Sequence, residues 1–272
     1  MRIQILGSAA AEAWPALFCA CDTCVRARAA GGKNFRSRAS LQIDDIFKID
    51  LPPDTYYHMV RNGLDLSALA HLFITHSHSD HFAPTELEFL AEPFAHNLKN
   101  APVRIYGNPS VTEILHGYPW ECRMPVEIVT LDPFVPIKAG DLTFTPIVAT
   151  HMPNEQCLNY VIHSGSVTVL YASDTGVYQC GETVDFLSSL KFDHLIVECT
   201  LGTLDFLPKG HMTFQAVLDL REKLAKSGAV TSGTPLTITH FSHNIGLMHE
   251  ELEAIADPEG IQVAYDGMTI EL

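Results

Sequence analysis

The chain has 272 residues, 47% hydrophobic and 18% charged, with a formal net charge of −15. This is ordinary globular composition with enough apolar mass for a sizeable core. So acidic a chain repels polyphosphate polymers, which argues against a general nucleic-acid binder. No apolar run reaches the roughly 18 residues that a membrane span needs.

The first expected strand is 2–6, "RIQIL". The apolar stretch before Gly7 is too short for an export signal and contains Gln4. With seven cysteines, an odd number, the expected setting is a reducing cytoplasm, where clustered thiols more often bind metal than pair. Such a cluster follows at once: Cys19, Cys21 and Cys24 in "FCACDTC". Three thiols are the wrong number for disulfides and one ligand short of a closed zinc site.

Strands are then expected at 39–43 and 46–49, the latter running into Asp50, and at 71–75, running into "THSHSDH". A helix is expected over 84–90, a strand at 103–106, a helix at 111–116 and a strand at 126–130. Three strands follow at 142–149, 158–163 and 167–172, then a helix at 182–189 and a strand at 194–199. The helix expected over 213–227 carries apolar residues at Phe214, Val217, Leu218 and Leu224, one face at the helical period. A strand at 236–240, a helix at 245–256 and strands at 262–265 and 268–271 complete the chain. No repeat, low-complexity tract or linker is evident, so one α/β domain over 1–272 is expected, with two mostly antiparallel sheets and outer helices.

The densest chemistry lies in 75–81. His76, His78, Asp80 and His81 follow an apolar strand. Imidazole and carboxylate together suit zinc, manganese or iron. Four such groups cannot all serve one open metal and leave room for substrate, so they read as halves of two adjacent sites. Three more strand-like runs close on a ligand-type residue: His151, Asp174 and His240. Strand ends are where α/β architectures place active-site groups. His243, three residues past His240, is a candidate fourth ligand for the thiols. Cys122, Cys157, Cys180 and Cys199 are scattered and read as small apolar residues.

The HxHxDH signature, followed in order by His, Asp and His, resembles the metallo-β-lactamase superfamily. That resemblance covers essentially the whole chain and implies a four-layer αββα sandwich. It further implies that His76, His78 and His151 hold one divalent metal, zinc or manganese. Asp80, His81 and His240 hold a second, Asp174 bridges the two, and Asp50 orients a ligand histidine. The chain departs from the family pattern in having Leu-Pro after Asp50 and no glycine after the HxHxDH loop.

Cys19, Cys21, Cys24 and His243, with the closing "DGMTI", further resemble the carbon–phosphorus lyase accessory phosphodiesterases, which implies one structural zinc. The start "LGSAAAEAWP" is also similar to the pyrroloquinoline quinone biosynthesis protein B family, but the intact HxHxDH motif favours the hydrolases. The implied activity is hydrolysis of a small cyclic nucleotide or ribose phosphodiester by a hydroxide shared between two metals. Asp80 and His211 are the expected catalytic residues, with His211 as general acid or phosphate contact ahead of the 213 helix. A thioester or lactone hydrolase and an iron-dependent oxidoreductase are the alternatives. A small phosphodiester is the expected partner, without membrane or nucleic acid, and the sequence leaves monomer and homodimer both open.

Overall fold

The structure, a computed structural model, describes residues 1–120, 123–205 and 209–272. The first sheet takes its strands from the first half of the chain plus the C-terminus: β1 (Arg2–Gly7), β2 (Ser40–Ile43), β3 (Phe47–Ile49), β4 (His71–Phe73), β5 (Val103–Gly107), β6 (Val126–Thr130) and, last in the chain, β14 (Thr269–Glu271). Their order is β14-β1-β2-β3-β4-β5-β6. The second sheet holds β7 (Ile137–Ala139), β8 (Leu142–Val148), β9 (Leu158–Ser164), β10 (Val167–Ala172), β11 (His194–Glu198), β12 (Leu236–Thr239) and β13 (Ile261–Val263), ordered β13-β12-β11-β10-β9-β8-β7.

The two sheets share one plan. Each begins with antiparallel neighbours and ends with parallel ones: β3 to β6 in the first, β10 to β13 in the second. This corrects the expectation of mostly antiparallel sheets. Parallel neighbours need a long crossover, and here those crossovers carry helices and the site loops.

Strand alternation divides the side chains among three apolar layers. Phe73, Tyr160, Ile162, Tyr171 and Ile196 point between the sheets. Leu72 and Ile74 point outward under α3 (Pro109–Gly117), against Val111 and Leu115. Val161, Leu170, Leu195 and Val197 point outward from the second sheet toward α4 (Gly181–Ser189), α5 (Phe214–Lys226) and α6 (His249–Ala256). Between the sheets, Phe73 stacks on Phe144 at 3.8 Å and on Tyr106 at 4.3 Å between ring centroids. The architecture is the expected αββα sandwich.

Several elements differ from the sequence expectation. Residues Pro84–Leu90 form 3₁₀ turns and bury only Leu87. The helix expected from 245 begins at His249, because Gly246 takes a left-handed conformation that ends the preceding 3₁₀ turn, His243–Ile245. Helices α1 (Asp22–Ala30) and α2 (Thr55–Asn62) were not expected. Only Thr55 and His58 of α2 are buried, while its apolar side chains Tyr56 and Val60 stay exposed. Strand β7 is three residues long and lies at a sheet edge.

Lys48 on β3 is fully buried, with its ammonium donating to Ser40 Oγ. Burial drives its pKa down to about 7, against the opposing pull of Asp50. Between that value and the ordinary lysine value of about 10.4, the unfolded chain binds more protons than the folded one, so this residue makes stability rise with pH across that window. Lys48→Met should therefore gain most over wild type near neutrality, with the advantage shrinking at higher pH. Urea midpoints of both proteins at about pH 7 and about pH 9.5 check this. A difference that stays constant would contradict it.

Candidate metal centre

The ligand-type residues named from sequence meet at one end of the two sheets. Asp50 follows β3, the 75–81 loop follows β4, Asp174 follows β10 and His240 follows β12. Asp50, Asp174 and His240 have φ of 62°, 41° and 61°, the left-handed region that non-glycine residues rarely occupy. Each such kink turns a strand-end side chain toward the centre. Strain of this kind persists where surrounding contacts over-determine it.

Three overlapping sets of donor atoms result, one of His76, His78, His151 and Asp174, a second of Asp80, His81, Asp174 and His240, and a third of Asp174, Glu198, His211 and His240. In the first set, His78 Nδ1 lies 3.0 Å from His76 Nε2 and 3.2 Å from His151 Nε2. Asp174 Oδ2 lies 3.5 Å from His76 Nε2 and 3.4 Å from His151 Nε2. In the second, His81 Nε2 lies 3.3 Å from Asp80 Oδ2 and 3.3 Å from Asp174 Oδ1, which is 2.6 Å from His240 Nε2. Tetrahedral zinc with bonds of about 2.0–2.1 Å would set its ligand atoms roughly 3.3 Å apart. Most of these separations fit that spacing. The two oxygens of Asp174 each face a different set.

The imidazole tautomers point the same way. His76 Nδ1 lies 3.0 Å from Thr75 Oγ1, which donates to Asp50. His240 Nδ1 lies 2.8 Å from Thr200 Oγ1, which donates to Glu198. His151 Nδ1 donates to the Gly210 carbonyl, and His81 Nδ1 to Asp50 at 2.7 Å. Because Nδ1 carries the proton in each, Nε2 presents a lone pair inward, the arrangement seen in metal-ligating histidines. His81 Nε2 and His240 Nε2 are buried with no hydrogen-bond partner, although carboxylate oxygens lie close by. Burial drives His76 and His151 toward the neutral form. Asp174 and Asp80 stay ionised well below the usual carboxylate range: burial opposes this, and His240 and His81 override it. Burial also works against a proton on His81, but Asp174 and Asp50 pull that ring well above its ordinary value. Carboxylates and imidazole nitrogens packed this closely call for cations, and the donor set fits divalent ions.

The thiol cluster is also assembled. Cys19, Cys21, Cys24 and His243 place one donor atom each within 4.8 Å of one another. Cys21 Sγ and Cys24 Sγ both lie 3.5 Å from His243 Nδ1. Cys24 sits in the first turn of α1. Three sulfurs and one imidazole suit zinc. Cys157 and Cys199 are buried thiols, and Cys180 lies half-buried ahead of α4. Cys122 lies outside the described residues.

His211 lines the cleft over the donor sets. Thr213, not His211, caps α5, accepting from the Ala216 N–H. His211 Nδ1 lies 2.8 Å from Glu198 Oε1. Burial works against a proton there, but Glu198 holds the ring up at about 9.

Sequence reasoning missed Glu198, which closes β11. It is fully buried and accepts from the N–H groups of Thr175, Thr200 and Met212, as well as from Thr200 Oγ1. With His211 added, its lone pairs are satisfied, which suits a residue that positions its neighbours, and one of its oxygens also lies within 4.8 Å of donor atoms of Asp174, His211 and His240. The available signal was the one used elsewhere: an ionisable residue ending an apolar strand, "HLIVE". Glu155 was missed too. It accepts from the Ser77 N–H at 2.9 Å and from Asn108 Nδ2 at 2.7 Å, bracing the 75–81 loop.

A family described as the β-lactamase superfamily domain matches residues 50–232, and the chain belongs to that family. No curated protein sequence matches the chain. Among solved structures, a diphosphatase from the PhnP family is 24% identical with a TM-score of 0.78, covering 100% of this chain and 98% of its own. YhfI from Bacillus subtilis, a metallo-β-lactamase fold protein, is 21% identical with a TM-score of 0.73, covering 99% of both chains. Zinc-bound PqqB from Methylobacterium extorquens is 16% identical with a TM-score of 0.76, covering 100% of both. At such identities the likeness is one of fold. Among the described residues no helix is long and apolar enough to cross a membrane.

Two outcomes follow from this geometry. Purified protein should carry a chelator-resistant zinc that Cys21→Ser loses, with a lowered melting temperature, because a closed structural site contributes to folding. Full zinc content and unchanged melting in the variant would remove the site. Asp174→Ala should lower metal occupancy at both inner positions, whereas Asp80→Ala should lower mainly one. Metal analysis of the dialysed proteins distinguishes the two patterns.

Proposed function

We propose that this chain is a metal-dependent hydrolase, and specifically a two-metal phosphodiesterase acting on a small phosphodiester such as a cyclic nucleotide or ribose phosphate. The observation that carries the reading is the Asp174 carboxylate, with one oxygen toward each donor set, beneath a cleft over which His211 is held by Glu198.

His76, His78 and His151 would hold one cation, Asp80, His81 and His240 the other, with Asp174 shared. When bound, two divalent ions of this kind make a water acidic enough to attack at neutral pH and polarise a phosphoryl oxygen. The chain's own residues do the rest. Thr75, Thr200, Gly210 and Asp50 fix the imidazoles by their Nδ1 atoms. Glu198 anchors His211 by Nδ1, which leaves Nε2 for the cleft. That nitrogen can give a proton to the departing alkoxide, the step a poor leaving group needs most. The neighbour named as a PhnP-family diphosphatase supports phosphorus as the reacting centre. The cleft has a volume of about 420 Å³, the size of a small-molecule site.

His211→Ala tests the mechanism through the leaving group. Hydrolysis of an alkyl or cyclic phosphodiester should fall by about 10²–10⁴, the usual worth of a general acid. Hydrolysis of bis(4-nitrophenyl) phosphate should fall much less, because nitrophenolate leaves without a proton. Metal content should stay at the wild-type level. Equal losses on both substrates would assign His211 to binding.

A further inference from the structure

The phosphodiester reading leaves open which diesters the cleft accepts, and the inner surface of the cleft is informative. Besides the donor sets and His211, it is lined by Ala10, Ala11, Glu12, Leu201, Ser242 and Asn244, among others. Among the described residues, no lysine or arginine lines it. Arg38 comes near, but its Nε donates to the Ala11 carbonyl and its Nη1 to both oxygens of Asp54 at 3.1 Å. Among the described residues, the one charged side chain at the cleft wall outside the donor sets and His211 is therefore an acid.

Glu12 is fixed in place. Ser242 Oγ donates to Glu12 Oε1 at 2.5 Å, while that same Oγ accepts from the Asn244 N–H and from Asn244 Nδ2. His243 Nε2 lies 3.8 Å from Glu12 Oε1, and the Nδ1 of the same ring faces the thiols. The acid is thus tied from two sides to the turn that follows β12. Its side chain keeps 30% of its surface exposed. Among the described residues, Oε2 takes no hydrogen bond.

An ionised carboxylate only accepts hydrogen bonds. A substrate group resting against Glu12 must bring donors, as a sugar or polyol hydroxyl does. A second phosphate on the substrate would meet the opposite: beyond His211, no cationic side chain among the described lining residues to pair with, and a fixed like charge.

We propose that Glu12 is a specificity residue that selects phosphodiesters of hydroxylated alcohols carrying no further phosphate group. The inference rests on the phosphodiester reading above. A single diester charge is matched by the inner cations and His211. Glu12 reads the free hydroxyls of the alcohol and repels a terminal phosphate.

The metal-loaded full chain is assayed on two substrates that differ only at the point in question, adenosine 2′,3′-cyclic phosphate and the same compound phosphorylated at its 5′-hydroxyl, with bis(4-nitrophenyl) phosphate alongside. The wild-type protein should favour the 5′-hydroxyl compound in kcat/KM by about tenfold or more. Glu12→Gln, which keeps the shape and an acceptor for Ser242, should narrow that preference, mainly through KM for the phosphorylated compound, and shift the nitrophenyl ester less than that compound. Equal wild-type rates on the two adenosine compounds, or a preference that Glu12→Gln leaves intact, would overturn the role of Glu12 while the phosphodiester reading stands. Failure of all three substrates would overturn the phosphodiester reading and this inference with it. The wild-type preference needs no variant, so it decides even if Glu12→Gln folds poorly.

Discussion

The Asp174 carboxylate is the constraint on which the rest of the centre depends. It is buried and ionised, it ends β10 in a left-handed turn, and its two oxygens face different sets of imidazoles. A buried charge in that position is costly unless it is matched. Around it converge Nε2 atoms of His76, His81, His151 and His240, four rings whose Nδ1 atoms are engaged on the far side. Cations at this point would relieve the carboxylates and use the imidazole lone pairs together.

That arrangement depends on an outer ring of acids, Asp50 and Glu198 buried and Glu155 half-buried. Asp50 takes Thr75 and His81, Glu198 takes Thr175, Thr200, Met212 and His211, and Glu155 takes Ser77 and Asn108. Each turns loop N–H groups and imidazole protons away from the centre. Thr75 and Thr200 play matching parts, each passing one hydroxyl proton to an acid and accepting from a histidine. The match follows the shared plan of the two sheets, since each threonine lies just past a strand in the parallel half of its sheet.

The thiol cluster extends this support to the cleft wall. Cys21 and Cys24, at the start of α1, meet His243 in the turn beyond β12. His240 and His243 thus share one short segment, with one ring turned to the inner centre and the other to the sulfurs. Trp14 anchors the N-terminal loop in the core, but Leu17 and Phe18, just ahead of the thiols, are exposed. A metal bound there would fix Glu12 and Ser242 against the cleft by ligation where packing is thin.

The sequence by itself determined the strands and the inner donor set. Alternating apolar residues mark strands at a period that tertiary context rarely overrides, and a ligand-type residue closing such a run is visible locally. His76, His78, Asp80, His81, His151, Asp174 and His240 all fall in that pattern, as does Glu198, which was overlooked because a single acid after "HLIV" has no neighbour of its kind. Helix α1 left no apolar stripe, and α2, eight residues long, carries Tyr56, Met59 and Val60 on one side, a pattern that was overlooked. Only the tertiary structure decided the parallel halves of the sheets, the left-handed turns at Asp50, Asp174 and His240, and the roles of Glu198, Glu155 and Glu12. Strand direction depends on crossovers, and the work of a buried carboxylate depends on which donors distant segments bring to it. Both are set by contacts between residues far apart in the chain, which no local pattern encodes.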